Sequence, residues 1–395
     1  MRKRLLLSFT LVSLSFFAFG QVTDTDNYRT YDGSFNNPVE TQWGAAGTNL
    51  LRLVPVAYAD SISAPAGPDR ANPRTISNSL FAQDSPINDP LSLSDFCWVF
   101  GQFIDHDLGI TPDGPEPAII KVPTGDPHFD PLGMGQAIIP MQRNLFDMAS
   151  GTGVDNPRQH PNMITAYIDG SAVYGSDHER ADWLRAFEGG KLKVSAGNLL
   201  PFNTEDGEFL GEITEEAPEM DNATRISEKL YVAGDVRANE NPLLLSFHTL
   251  FVREHNRLCD ELAIKHPDWD DEALYQYARK LIGGLIQSIV YDEWLPAMGV
   301  HLDDYQGYNS DVNPQLTNIF TAAAFRLGHT LLNSTIRRIA DNGEVIEQGN
   351  LSLQDAFFNP FVFIETGDID PFFKGMATQI QQSMDPKLIN DVRNF

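Results

Sequence analysis

Residues 100–113 read FGQFIDHDLGITPD. An aromatic, apolar run leads straight into three ionisable side chains, Asp105, His106 and Asp107. Burying even one such group requires a partner or a change of protonation. On a helix advancing 100° per residue, Gln102, Asp105 and His106 fall within a sector about 100° wide, and Asp107 points roughly 100° away from His106. Gly109 lies in the first sector and leaves space beside it. One helix end thus offers an amide, an acid and an imidazole on one face and a lone carboxylate on another. Taken alone, a solvated helix terminus explains these residues equally well.

The flanking sequence is also largely helical. Ser92 and Ser94 are cap candidates for a helix over 94–108, which Gly109 and Pro112 stop. Ser176-Asp177-His178-Glu179 reads as a capping box opening a helix that Gly189-Gly190 closes. Pro242 suits the first turn of a helix running to about Lys265, before Pro267. Residues 271–294 form another, stopped by Pro296. Asn313-Pro314 is expected to begin one that continues to about Ile339 and ends near Asp341-Asn342-Gly343. Strand signals are short and scattered, and no internal repeat is present. Residues 21–90 are rich in Pro, Gly, Asn and Asp and read as loops wrapping a surface. The expected fold is mainly α: a single large domain over 91–395 with a loop-rich N-terminal region.

Of 395 residues, 42% are hydrophobic and 21% charged, which supports a large core and excludes a disordered chain. Residues 1–20 have a basic start, an apolar Leu5–Phe19 run and small residues at Ala18 and Gly20, the pattern of a cleaved secretory leader. Export to the extracellular space or periplasm is expected, with no membrane span once the leader is removed. A formal charge of −26 repels nucleic acid and anionic lipid, and is compatible with binding a divalent cation. The two cysteines, Cys97 and Cys259, can form one disulfide or remain two buried thiols, and the sequence leaves both open.

Three further stretches carry chemistry. In ITAYIDGSAVYG (164–175), Thr165, Asp169 and Ser171 place side-chain oxygens at even spacing, and the Tyr167 carbonyl can join them. This is an oxygen-rich set for a hard cation, short of one carboxylate that Asp107 could supply; by itself an Asp-Gly turn is the simpler reading. In GDVRANENPLLLSFHTLFVREHNR (234–257), Arg237 and Glu240 stand at the start of the long helix. The order HExxH is absent around His248, Glu254 and His255, so packing or hydrogen-bonding roles are expected there instead of zinc. In AAAFRLGHTLL (322–332), His329 follows Gly328, with Phe325 and Arg326 one turn earlier. Such a histidine is usually a satisfied core residue. A glycine that admits a flat ligand and a nearby arginine also suit an axial metal ligand with a carboxylate clamp.

Together the four stretches resemble the animal-type haem peroxidases of the peroxidase–cyclooxygenase superfamily. The resemblance extends to YRTYDGSFNNP, WGAAGTNLLRLVPVAYAD and PRTIS within residues 28–78, and so covers nearly the whole chain beyond the leader. It implies haem b as cofactor, hydrogen peroxide as oxidant and small electron donors such as halide, thiocyanate or phenols. It identifies His106 as the distal base, Arg237 as the distal arginine and Gln102 as the distal glutamine. His329 becomes the ligand of haem iron, Arg326 the partner of a haem propionate, and Asp105 and Glu240 the carboxylates that can esterify haem methyl groups. Asp107, Thr165, Tyr167 through its carbonyl, Asp169 and Ser171 correspond to the calcium site. A role in the response to oxidative stress follows from the same resemblance.

The sequence also departs from the family pattern. Asn241 stands where the myeloperoxidase-like branch has a haem-linked methionine, so that link and strong chloride oxidation are not expected. Arg326 occupies the position of the radical-forming tyrosine of the cyclooxygenase branch, which argues against fatty-acid dioxygenation. Phe35 replaces a cysteine found in many relatives. NDVRNF (390–395) resembles a segment that leads into further helices, one of which carries an asparagine bonded to the proximal histidine; the expectation is that this C-terminal part of the family domain is missing here. The alternative reading is accordingly a peroxidase-like binding or adhesion module with impaired catalysis.

Overall fold

The computed structural model describes residues 28–67 and 69–395. The expected leader, 1–20, lies outside the described residues. Two helices dominate. Pro242–Lys265 starts where the sequence signals put it: the Asn241 side chain accepts from Leu244 N, and Pro242 fills the first turn, where no amide is needed. Phe96–Leu108 ends at Gly109, whose N–H still bonds the Asp105 carbonyl. The two pack through aromatic rings, with Phe103 stacked on Phe251 at 5.0 Å and tilted against Phe247 at 6.2 Å. A third helix, Asp271–Ser288, is capped by Asp270 and buries Leu274, Tyr275, Ala278, Ile282 and Ile286. It runs on through a π-helical turn, Ile289–Trp294, and ends with Leu295–Ala297, close to the expected stop at Pro296. The few strands form two-stranded antiparallel pairs: Asp113–Pro117 with Gln142–Asn144, Ile120–Lys121 with Ile138–Ile139, and Thr335–Ile336 with Leu351–Ser352.

Three expectations need correction. The 313–339 helix does not exist as one element. Leu51 N–H donates to the Leu316 carbonyl at 2.8 Å and Asn318 N–H to the Leu51 carbonyl at 3.0 Å, which holds 316–318 extended against the N-terminal wrap. Thr317 then caps a short helix, Asn318–Ala322, and Ala323 (φ −137°, ψ −62°) breaks it before a 3₁₀ segment, Ala324–Thr330. The capping-box helix is His178–Leu184, capped by Asp177 but ended at Arg185, well before Gly189-Gly190. At the start of Phe96–Leu108 the N-cap is Asp95, whose side chain accepts from the Asn333 amide and makes no cap hydrogen bond. Cys97 and Cys259 are both free and buried, which closes the choice left by the sequence.

Candidate active site

The C-terminal end of Phe96–Leu108 opens on a cavity of about 490 Å³, within the size range of small-molecule and cofactor sites. Gln102, Asp105, His106, Arg237 and Glu240 line it, and so do Phe325, Arg326, Gly328 and His329 from the 3₁₀ segment. The structure therefore brings two histidines that lie far apart along the chain to one space. Trp98, Trp294, Leu331, Leu332 and Phe357 make much of the remaining lining apolar. A larger cleft, about 1220 Å³, adjoins it and shares Asp105, Arg237 and Arg326.

Polar contacts tie the first group together. Gln102 donates from Nε2 to Glu240 Oε2 and accepts at Oε1 from Asn241 Nδ2 at 3.1 Å. Arg237 donates from Nε and Nη2 to the two oxygens of Asp235, each at 2.8 Å, and from Nη2 to the Gly109 carbonyl at 3.1 Å. Its Nη1 lies 3.7 Å from Asp105 Oδ2. Burial raises the Asp105 carboxyl, against the pull of Arg237. Burial likewise pushes Glu240 up to about 7 despite Arg237. His106 is buried, and burial followed by Arg237 drives its pKa well below the ordinary histidine value, so the imidazole is neutral. Asp235 behaves oppositely: burial acts to raise it, but the charge and hydrogen bonds of Arg237 overcome that and keep it ionised.

His329 and Arg326 are three apart on a 3₁₀ turn, the spacing at which side chains eclipse. His329 is exposed and lines the cavity; the surrounding protein and then Arg326 lower its basicity. No hydrogen bond to the His329 ring occurs among the described residues. Arg326 is exposed and donates from Nε to the Thr321 carbonyl at 3.0 Å.

Behind the helix, Asp107 is fully buried. Its Oδ2 accepts from Asp169 N at 3.1 Å and Gly170 N at 3.2 Å, and its Oδ1 from Ala172 N at 2.8 Å. Ser171 Oγ donates to the Asp107 carbonyl at 2.9 Å. Thr165 Oγ1 donates to Asp169 Oδ2 at 3.0 Å and reaches the Tyr167 carbonyl at 3.4 Å. All five oxygen-bearing residues singled out from the sequence therefore meet. The Asp-Gly turn is real too, since Gly170 sits at φ +83° and precedes a short helix, Ser171–Tyr174. Burial, reinforced by Asp169, pushes Asp107 up to about 7. Two carboxylates, two hydroxyls and a carbonyl suit a hard divalent cation and would not suit a thiophilic one. Among the described residues, no group of three or more His, Cys, Asp or Glu side chains is placed to hold a metal.

His248 and His255 take the hydrogen-bonding roles expected of them. His248 Nδ1 meets the Ala172 carbonyl at 3.0 Å, and His255 bridges Tyr174 OH and the Gly190 carbonyl, each at 2.8 Å. Sequence reasoning missed Asp235. Its signal was the spacing Asp-Val-Arg, which lets a carboxylate clasp the guanidinium two residues on. It also missed the apolar lining from Trp294, Leu332 and Phe357, which depends on distant packing.

The residues present fit a haem. The cavity combines an apolar lining, a neutral imidazole beside a guanidinium, and a second, exposed imidazole next to an arginine. Residues 28–395 match the sequence profile of the animal haem peroxidases. Human dual oxidase 1 is 33% identical over 380 residues, which is 92% of this chain and 24% of that protein. Peroxinectin A of Dictyostelium discoideum is 32% identical over 405 residues, covering 99% of this chain and 72% of its own length. The chain thus spans about a quarter of the first relative and most of the second. Among solved structures, peroxidase A from Dictyostelium discoideum superposes with a TM-score of 0.83 at 31% identity, over 92% of this chain and 70% of the other. Rice fatty acid alpha-dioxygenase, at 21% identity and a TM-score of 0.69 over 90% of this chain and 59% of its own, shares the fold. By its sequence profile and by its fold, this chain belongs to the animal haem peroxidase family of oxidoreductases.

Proposed function

We propose that this chain is a secreted, calcium-stabilised haem peroxidase that reduces hydrogen peroxide and oxidises small donors such as halide, thiocyanate or phenols. The observation that carries the reading is that His106, Arg237 and His329 line one cavity. Bound haem supplies the redox chemistry. The protein's own groups do the rest. His106, held neutral, takes a proton from peroxide and returns it to the departing oxygen. Arg237, fixed by Asp235, offers a permanent cation to the charge that develops as the O–O bond breaks. Gln102, held between Glu240 and Asn241, presents an amide for water or halide. His329 would bind the iron and Arg326 a propionate. Asp105 and Glu240 line the cavity as carboxyls available for ester links. The adjoining cleft gives small polar donors a route in, beside Arg237 and Arg326.

Titrating haem into the purified protein should produce a Soret band that His329→Ala abolishes. His106→Gln should retain the band while peroxide reduction falls about 10²–10⁴-fold, the usual worth of a general acid–base group. Full haem occupancy in His329→Ala would refute the ligand assignment. The His329 ring without a hydrogen-bond partner among the described residues favours a second reading, a peroxidase-like binding or adhesion module. Stopped-flow mixing separates the two, since a haem-loaded sample that shows no spectral change with peroxide supports the module.

A further inference from the structure

Asp235 stands behind the distal side of the cavity, and no role above uses it except as a clasp for Arg237. It is 2% exposed, and its Oδ1 lies 3.5 Å from His106 Nδ1. That nitrogen is itself buried and has no hydrogen-bond partner among the described residues. We propose that Asp235 is the positioning residue of the distal site: it fixes His106 as the tautomer with hydrogen on Nδ1, leaves Nε2 free for the cavity, and locks Arg237 with the same carboxylate. The catalytic meaning of this placement rests on the reading of His106 as the base.

Three observations support it. First, Asp235 is the carboxylate that reaches the His106 ring. Of the groups that act most strongly on His106, Arg237 and Arg326 are cations and Asp235 is the anion, with its Oδ1 at 3.5 Å. His248 is also close, but its Nδ1 meets the Ala172 carbonyl and must carry the hydrogen there, so it is a neutral imidazole with its proton already committed. A bare Nδ1 lone pair on His106, facing an ionised carboxylate oxygen, would be both repelled and unsatisfied; an N–H there removes both penalties. Second, the carboxylate is not saturated: Arg237 N and Nε donate to Oδ1 and Arg237 Nη2 to Oδ2, three of roughly four acceptor sites, so the His106 contact shares Oδ1 with Arg237. Contacts of this kind are commonly long in a resting site and tighten with substrate in place.

Third, the backbone is shaped to seat it. A Cβ on Gly234 would lie 2.4 Å from the Ser171 carbonyl oxygen and 2.5 Å from the Val173 carbonyl carbon, so only glycine permits this approach. Asp235 N–H then donates to the Ala172 carbonyl at 3.2 Å. That carbonyl also meets His248, and the Ala172 N–H bonds Asp107. The backbone of one residue, Ala172, therefore registers Asp235 and His248 against the end of the helix that carries His106.

The test uses the full chain labelled with ¹⁵N-histidine, without haem, with His106 assigned by the signals lost in His106→Gln. The wild type should show a protonated Nδ1 and a bare Nε2 at His106. Asp235→Asn should lose that preference and lower kcat/KM for peroxide at least tenfold, with haem uptake and the KM for donor unchanged; Asp235→Glu should recover part of both. A wild-type His106 with its hydrogen on Nε2 overturns the inference, as does an Asp235→Asn protein with unchanged tautomer and peroxide kinetics. Should Asp235→Asn fail to fold, the wild-type tautomer alone decides. A haem-loaded wild type inert to peroxide would refute the proposed function instead, while the haem-free tautomer still settles where Asp235 places the proton.

Discussion

Asp107 is the residue whose surroundings are hardest to explain without a cation. It is fully buried, accepts three backbone N–H groups, and faces a second buried carboxylate, Asp169, whose acidity is also weakened by burial. A divalent ion held between them would relieve that crowding, and binding only to the folded state stabilises it. Adding calcium to chelator-treated protein should raise the melting temperature by several degrees, and Asp169→Ala should erase the shift; identical melting with and without chelator removes the calcium claim. Residue by residue, helical geometry made the two faces of Asp105-His106-Asp107 legible, while the roles assigned to them came only from the family resemblance. Asp235 was not legible, because its meaning arises only after Gly234 lets two distant backbone segments touch. Gly234→Ala should therefore destabilise the fold by about 2 kcal/mol or more, as overpacking does, with a lowered urea midpoint as the readout.

At the level of elements, Pro242–Lys265 was readable because its start signal is local: Asn241 caps and Pro242 follows. The 313–339 stretch was misread because its fate is set by Leu51, far earlier in the chain, whose backbone claims the groups a helix would need. The start of Phe96–Leu108 carries a separate pH signature. Burial pushes Asp95 up to about 7 against the donated hydrogen bond of Asn333. In the unfolded chain an aspartate titrates near 4. The folded protein thus keeps a proton that the unfolded chain gives up, so this contribution is full below about pH 4 and is lost as pH rises through about 7. Asp95→Asn should flatten that window and stabilise the protein at pH 8 by roughly 2–4 kcal/mol; denaturant melts at pH 5 and pH 8 would show it, and an unchanged pH dependence would exclude it.

In the whole molecule, the core is contiguous from the Phe96–Leu108 helix through Pro242–Lys265 to the buried Phe363 and Phe372. Phe103 sits at its centre with no exposed surface, stacked on Phe251 and edge-on to His248 at 5.1 Å. Phe103→Ala should lower stability by about 3–5 kcal/mol, measured by urea unfolding, and should loosen the packing around His248 with it. Among the described residues, no helix is long and apolar enough to cross a membrane.

Ala172, whose N–H bonds Asp107 and whose carbonyl accepts from Asp235 and His248, also bears on how the chain reaches this state. Its partners lie 65, 63 and 76 positions away along the chain, so none of these bonds can be rehearsed within a local hairpin or helix. Loop closure over such separations is entropically slow and is rewarded only when several segments arrive together. Hydrogen-exchange protection at Ala172 should accordingly appear late in refolding, after the amides in the middle of the Pro242–Lys265 helix are already protected. The pocket is then a product of the finished topology, and a fragment that folds only part of the helical core will not carry it.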